Sequence, residues 1–272
     1  MVSKKRFLFY FLCWVLFITS CKITRDPSVV VANPSRKFPL DLRTAEIDAL
    51  GNVIALSSKN TITRYNRVNG TSVQYSDNRL GRIDVVDSRN PLELLLFFKS
   101  YGMVRWLDNS LTVIEEVNLD NSNVVNVCSS NDGKFWMFDE NTQRIYKKDR
   151  KLTTLIESNR MSDLGIKGMK VIKMRESNNR LVVLTDIYGF LIFDNFGQFQ
   201  RKIPNNGSTD FQLNDNLLIE FDGAGIKSTD LNQPFVQPAY EAIGQATGAI
   251  GVRVWEQDYF ILFKDGIDVV SQ

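Results

Sequence analysis

Six short, almost continuously apolar runs recur along the chain and restrict what it can fold into. They are Val53-Ile54-Ala55-Leu56, Leu92 to Phe98, Phe135-Trp136-Met137-Phe138, Leu181-Val182-Val183-Leu184, Leu217-Leu218-Ile219-Glu220-Phe221 and Tyr259-Phe260-Ile261-Leu262-Phe263. Each is too short for a useful helix and is bounded by turn formers, so each reads as a strand buried on both faces. No convincing amphipathic helix of useful length lies between them. Their starts are separated by roughly 36 to 47 residues, the period of a repeated β unit. A turn and a second, more amphipathic strand follow most of them: Ile62 to Tyr65, Met103 to Trp106, Arg144 to Lys147, Phe190 to Phe193 and Gly266 to Val269.

Several of these second strands end in an aromatic residue, then Asn or Asp and a turn. Examples are Tyr65-Asn66-Arg67-Val68-Asn69-Gly70, Trp106-Leu107-Asp108-Asn109 and Phe193-Asp194-Asn195-Phe196-Gly197. Asn and Asp side chains bond nearby backbone amides at such corners, and Gly supplies positive φ. The corner resembles the turn between the third and fourth strands of quinoprotein-type and related β-propellers. That resemblance implies an all-β fold, a β-propeller of about six four-stranded blades. The apolar runs around Leu56, Leu95, Met137, Val183, Ile219 and Leu262 are expected to be its inner strands. The last repeat stops after its third strand, so an N-terminal strand must close the ring. Arg36-Lys37-Phe38-Pro39-Leu40-Asp41 or Val29 to Val31 can supply it. The alternative is a β-sandwich or an open, incomplete propeller.

Ahead of the repeats, Lys4-Lys5-Arg6 precedes an apolar run from Phe7 to Ile18, and small residues lead into Cys21. This is the layout of a secretory signal. Ile18-Thr19-Ser20-Cys21 resembles the lipobox of bacterial lipoproteins. The resemblance implies a diacylglyceryl group on the Cys21 sulfur, cleavage before it and acylation of the new amine. The apolar run, about a dozen residues against the roughly 20 of a spanning helix, leaves an uncleaved anchor as the alternative. The expected organisation is a signal peptide over 1–20, a lipid-proximal linker over 21–35 and the propeller over 36–272. Lys22 and the absence of an acidic run after Cys21 imply, by the same resemblance, an outer-membrane anchor facing the periplasm. In layout the chain resembles the propeller lipoprotein of the outer-membrane barrel assembly machinery.

Composition narrows the chemistry. Lys and Arg number 33 against 31 Asp and Glu, and removing the signal takes away three cations, so the mature chain is near neutral. No clustered basic footprint for nucleic acid results. There are 0 His, which excludes Ser-His-Asp, Cys-His and His-containing zinc sites. Cys128 lies in the strand-like run Val124 to Cys128 and reads as a core thiol. Gly244 to Gly251 lacks the Lys-Ser/Thr of a phosphate loop. It reads as the connection between the fifth and sixth blades. Asp120-Asn121 and Asn214-Asp215-Asn216 lack the alternating ligands of a calcium loop. No cofactor and no metal site are expected.

Tyr101 and Tyr188 fall in loops between second and third strands, which share one rim with the blade-to-blade connections carrying Arg79, Arg82 and Arg160. Tyr and Arg are enriched at interface hot spots, so this rim is the expected partner-binding face; ordinary exposed loop residues are the alternative. The chain is thus read as a non-catalytic binding or scaffold subunit. Its expected partners are membrane lipid, through acylated Cys21, and an outer-membrane β-barrel or other envelope protein. The alternative is a propeller hydrolase or lyase whose channel site is built from Asp, Glu and Asn alone.

Overall fold

The computed structural model describes residues 38–39, 41–119, 123–205 and 207–271. Val29 to Val31, Arg36, Lys37, Leu40 and Asp120-Asn121 lie outside them, as does the lipobox with Cys21. The described residues form six four-stranded antiparallel sheets arranged as a β-propeller.

Strand β1 (Phe38–Pro39) comes first and belongs to the last blade. Blade 1 is β2 (Leu42–Ile47), β3 (Val53–Ser57), β4 (Ile62–Tyr65) and β5 (Ser72–Tyr75). Blade 2 is β6 (Val85–Asp87), β7 (Leu94–Phe98), β8 (Met103–Leu107) and β9 (Val113–Asn118). Blade 3 is β10 (Val124–Ser129), β11 (Phe135–Asp139), β12 (Arg144–Lys148) and β13 (Thr154–Glu157). Blade 4 is β14 (Val171–Ser177), β15 (Arg180–Thr185), β16 (Gly189–Asp194) and β17 (Phe199–Ile203). Blade 5 is β18 (Phe211–Asn214), β19 (Leu217–Phe221), β20 (Gly225–Asp230) and β21 (Ala239–Ala242). Blade 6 is β22 (Gly251–Trp255), β23 (Asp258–Phe263), β24 (Gly266–Ser271) and, on its outer edge, β1.

The expected closure is thus made by Phe38 and Pro39, which pair antiparallel with Ile267 and Gly266. Phe38 also packs against Tyr65 of blade 1, ring centres 4.8 Å apart and planes tilted by 53°.

The apolar runs are buried as expected but are the second strand from the axis, not the innermost. A second strand is sandwiched between two neighbouring blades, so alternate residues serve opposite interfaces. In β7, Leu94, Leu96 and Phe98 pack with Ile54, Leu56 and Ile62 of blade 1. Leu95 and Phe97 pack with Val127, Phe135 and Met137 of blade 3. In β15, Leu181 and Val183 join blade 3, while Val182 and Leu184 join blade 5. Both faces apolar gives a run without polar alternation. The innermost strands β2, β6, β10, β14, β18 and β22 turn one face toward the axis, and β2, β6, β14 and β22 carry charged residues.

The corners behave as their sequences indicate. The Asp108 carboxylate accepts from the amides of Ser110 and Thr112, that of Asp149 from Lys151 and Thr153, and that of Asp194 from Phe196 and Gln198. The fourth corner residue has positive φ: Gly197 in blade 4, but Leu111 and Leu152 in blades 2 and 3. Leu111 is compensated by burial beside Leu94 and Ile54. Cys128 is a buried free thiol, and burial pushes its pKa up.

Candidate functional site

Six innermost strands converge on the axis, and in an ordinary propeller they bound a channel. Here charged side chains from opposite walls meet across it. Glu46 of β2 is 2.8 Å from Lys173 and 2.9 Å from Arg175, both on β14, and 3.3 Å from Arg253 on β22. Asp210, just before β18, is 2.5 Å from Lys173 and also pairs with Arg253. Arg175 donates to the Val86 carbonyl of β6 at 2.8 Å and lies 4.0 Å from Asp87. Asp87 accepts from the Ser129 amide of β10 at 2.9 Å. Every blade is therefore tied into one septum of three cations and three carboxylates.

The energetics follow from burial and pairing together. Burial alone raises the Glu46 carboxyl, but Lys173, Arg253 and Arg175 outweigh it and hold it at about 2. Burial likewise opposes ionisation of Asp210, yet Arg253 and Lys173 keep it below the usual carboxylate range. Lys173 is lowered by burial, with Asp210 and Glu46 acting against the shift. Burial also opposes the charge on Arg253, and Asp210 and Glu46 more than restore it.

The septum divides the channel into two funnels. One opens on the face carrying the blade-to-blade connections, here called the connection face. It encloses about 430 Å³, lined among others by Arg43, Arg82, Asn126, Ile172 and Ile250. The other opens on the hairpin face and encloses about 290 Å³, lined among others by Asp87, Arg89, Gln212, Asn214 and Trp255. On that side the Gln212 amide both donates to and accepts from the backbone of Val254 at 2.7 Å, joining blades 5 and 6. Arg89 reaches from blade 2 to the Leu213 carbonyl of blade 5.

The rim residues expected from sequence lie on the connection face in two groups. Tyr101 ends a one-turn 3₁₀ segment, is 54% exposed, and sits against Gly81, beside Arg79 and Arg82. Arg79 is solvent-facing and pairs with Asp77 at 3.1 Å; Arg82 is solvent-facing and 3.9 Å from Asp84. Arg160 is exposed at the start of the Met161–Leu164 turn, in the connection from blade 3 to blade 4. Tyr188 is close to it in the fold but is half-buried. Its hydroxyl exchanges hydrogen bonds with the Lys167 amide and carbonyl at 3.0 Å, and its ring packs on the blade 3–4 core. Tyr188 braces that connection and offers less free surface than Tyr101.

The septum was not visible as such in the sequence, and the enzymatic alternative is corrected on one point. The channel is lined by Lys173, Arg175 and Arg253 as well as carboxylates, not by Asp, Glu and Asn alone. The available signal was the polar member of period-two strands, as in Val171 to Ser177 and Gly251 to Trp255, just upstream of two apolar runs. Asp215, in the second calcium-like turn, forms a tight hairpin at positive φ with Asn216 bonded to Arg180. The Gly244 to Gly251 connection does run between blades 5 and 6, with Ile243 and Ala246 buried under it. No group of three or more metal-ligating side chains occurs among the described residues.

No protein-family model matches the chain, and no curated protein matches it. Solved structures do. The AfRom2 CNH domain aligns at 13% identity and a TM-score of 0.52, over 88% of this chain and 82% of its own. The computationally designed Ika8 protein aligns at 10% identity and 0.50, over 81% of this chain and 68% of its own. BamB from Moraxella catarrhalis aligns at 13% identity and 0.44, over 84% and 71%. At these identities the likeness to the first two speaks to the fold alone.

Proposed function

We propose that the chain is a membrane-anchored, periplasm-facing binding or scaffold subunit of an outer-membrane protein complex. In this reading residues 1–20 are a signal, Cys21 carries the lipid and 21–35 are a linker. Tyr101, Arg79, Arg82 and Arg160 dock an outer-membrane β-barrel or other envelope protein, with Tyr188 bracing the rim. The observation that carries the reading is the septum. A channel hydrolase needs a carboxylate able to take a proton, hold a metal or activate water. Glu46 and Asp210 are instead ion-paired to two or three cations each, and Asp87 accepts a hydrogen bond from the Ser129 amide beside Arg175. Chemistry at the axis would have to dismantle the ring's own fastening, so work is left to the faces.

The test is site-specific photo-crosslinking of the full chain in the envelope of a Gram-negative host. Probes replace Tyr101 and Arg160 on the connection face, and Val68 and Phe196 on the hairpin face. The expected result is a discrete envelope-protein adduct from 101 and 160 only, on a protein whose amino terminus is acylated Cys21. Adducts confined to 68 and 196, or an unlipidated terminus elsewhere, would overturn the proposal.

A further inference from the structure

The connection-face funnel has features beyond the ion pairs of the septum. Three of the innermost strands carry a β-bulge at this mouth: between Leu42 and Thr44 in β2, Val124 and Asn126 in β10, and Val171 and Lys173 in β14. A bulge inserts one residue and re-aims the side chains around it. The inserted Arg43 and Ile172 both line the funnel, and so does Asn126.

Each of these side chains presents a specific chemistry. Arg43 is half-buried and donates to the Ile83 carbonyl, but no carboxylate lies within ion-pair distance of it among the described residues. Burial and the nearby Arg82 disfavour its charge, and Asp84 partly offsets them. Asn126 is 6% exposed; its Nδ2 donates to the Ile172 carbonyl at 3.0 Å, while its Oδ1 is buried without a hydrogen-bond partner. A buried acceptor left unpaired costs about 1–3 kcal/mol, so this wall is set to receive an N–H or O–H. Ile172 and Ile250 stand at the mouth, 36% and 38% exposed. The lining holds Arg43, Arg82, Lys173 and Arg175 against Glu46, Asp84 and Asp210, an excess of one positive charge. That balance is neutralised by a monoanion, whereas a dianion would leave the funnel with a net negative charge.

We propose that the connection-face funnel binds a small organic carboxylate that carries an N–H or O–H donor next to the carboxyl group and a compact apolar body. The carboxylate forks onto Arg43 with Arg82 alongside, the donor satisfies Asn126 Oδ1, and the apolar body lies between Ile172 and Ile250. Free acids and the last residue of a polypeptide share this chemistry. The site stands on Arg43 and Asn126, so it holds whether or not the rim docks a partner.

The experiment is calorimetric titration of the full chain in detergent with N-acetylleucine as the probe. Saturable binding is expected, weakened at least tenfold in N-acetylleucinamide, which lacks the charge, and in N-acetyl-N-methylleucine, which lacks the N–H. Arg43→Gln should weaken binding at least tenfold, and Lys151→Gln, on the hairpin face, should leave it unchanged. Acetyl-Ala-Ala-Leu binding tenfold tighter than N-acetylleucine assigns a chain terminus as the natural source; equal or weaker binding assigns a free acid. The absence of saturable binding at about 10 mM, or equal binding of acid and amide, overturns the site. So does undiminished binding by a folded Arg43→Gln. If Arg43→Gln does not fold, the acid–amide comparison decides alone. Binding of N-acetylleucine without crosslinks at 101 or 160 would sink the docking rim and leave the funnel standing.

Discussion

Replacing Glu46 with Gln tests whether the septum is what fastens the ring. The substitution keeps size and an acceptor oxygen but removes the charge that faces Lys173, Arg175 and Arg253. A carboxyl held at about 2 instead of 4.5 in the folded state corresponds to roughly 3 kcal/mol at about 1.4 kcal/mol per pH unit. That agrees with the roughly 3–5 kcal/mol lost when one partner of a buried ion pair is removed. For a domain of this size the expected fall in Tm is about 6–12 °C. Urea denaturation at pH 7 should show the same loss. Because the folded pKa is depressed, Glu46 stabilises the protein above its unfolded value and the benefit fades as pH falls toward 2. The gap between wild type and Glu46→Gln should therefore narrow through that window. Adding Lys173→Met to Glu46→Gln should recover part of the loss, since it restores equal numbers of cations and carboxylates in the septum. A Glu46→Gln protein as stable as wild type at pH 7, or a gap independent of pH, would refute the argument.

Two other substitutions probe the blades. Leu111→Gly relieves positive φ at a corner, worth about 1–2 kcal/mol, but gives up a buried side chain worth about 2–5 kcal/mol. Net destabilisation of about 1–3 kcal/mol is expected by urea titration, and a stabilised variant would show that the leucine is not an anchor. Glu220 is buried on β19 beside Lys227, and its carboxyl is raised by burial despite that lysine. The folded state thus favours the protonated form, and stability falls as pH rises through the unfolded value toward the folded one. Glu220→Gln should raise Tm at pH 7 and lose its advantage below about pH 4; a lower Tm at pH 7 would mean that the Lys227 pair outweighs burial.

The blades were readable because a strand sandwiched between two neighbours must be apolar at every position. Leu94 to Phe98 and Leu181 to Leu184 therefore marked a period on their own. The corners were readable because Asp108 and Asp194 act on amides two and four residues ahead, a local device. The identity of the innermost strands was not: β6 and β18 are short and interrupted by polar residues, and they resemble ordinary edge strands. Nor was the septum, because Glu46 and Arg253 are separated by 207 positions and neither sequence neighbourhood records the other's charge. Tyr101 and Tyr188 look alike in sequence; what separates them is Lys167, which captures one hydroxyl and has no counterpart at the other among the described residues.

The pairing of Phe38 with Ile267 also dictates an order of events during synthesis. The first described strand has its hydrogen-bonding edge on one of the last, so it must wait while five blades emerge and stack. Contacts so distant along a chain form late and slowly. Until then the nascent protein carries an open seam, with the apolar faces of blades 1 and 6 bare to any other chain that arrives first.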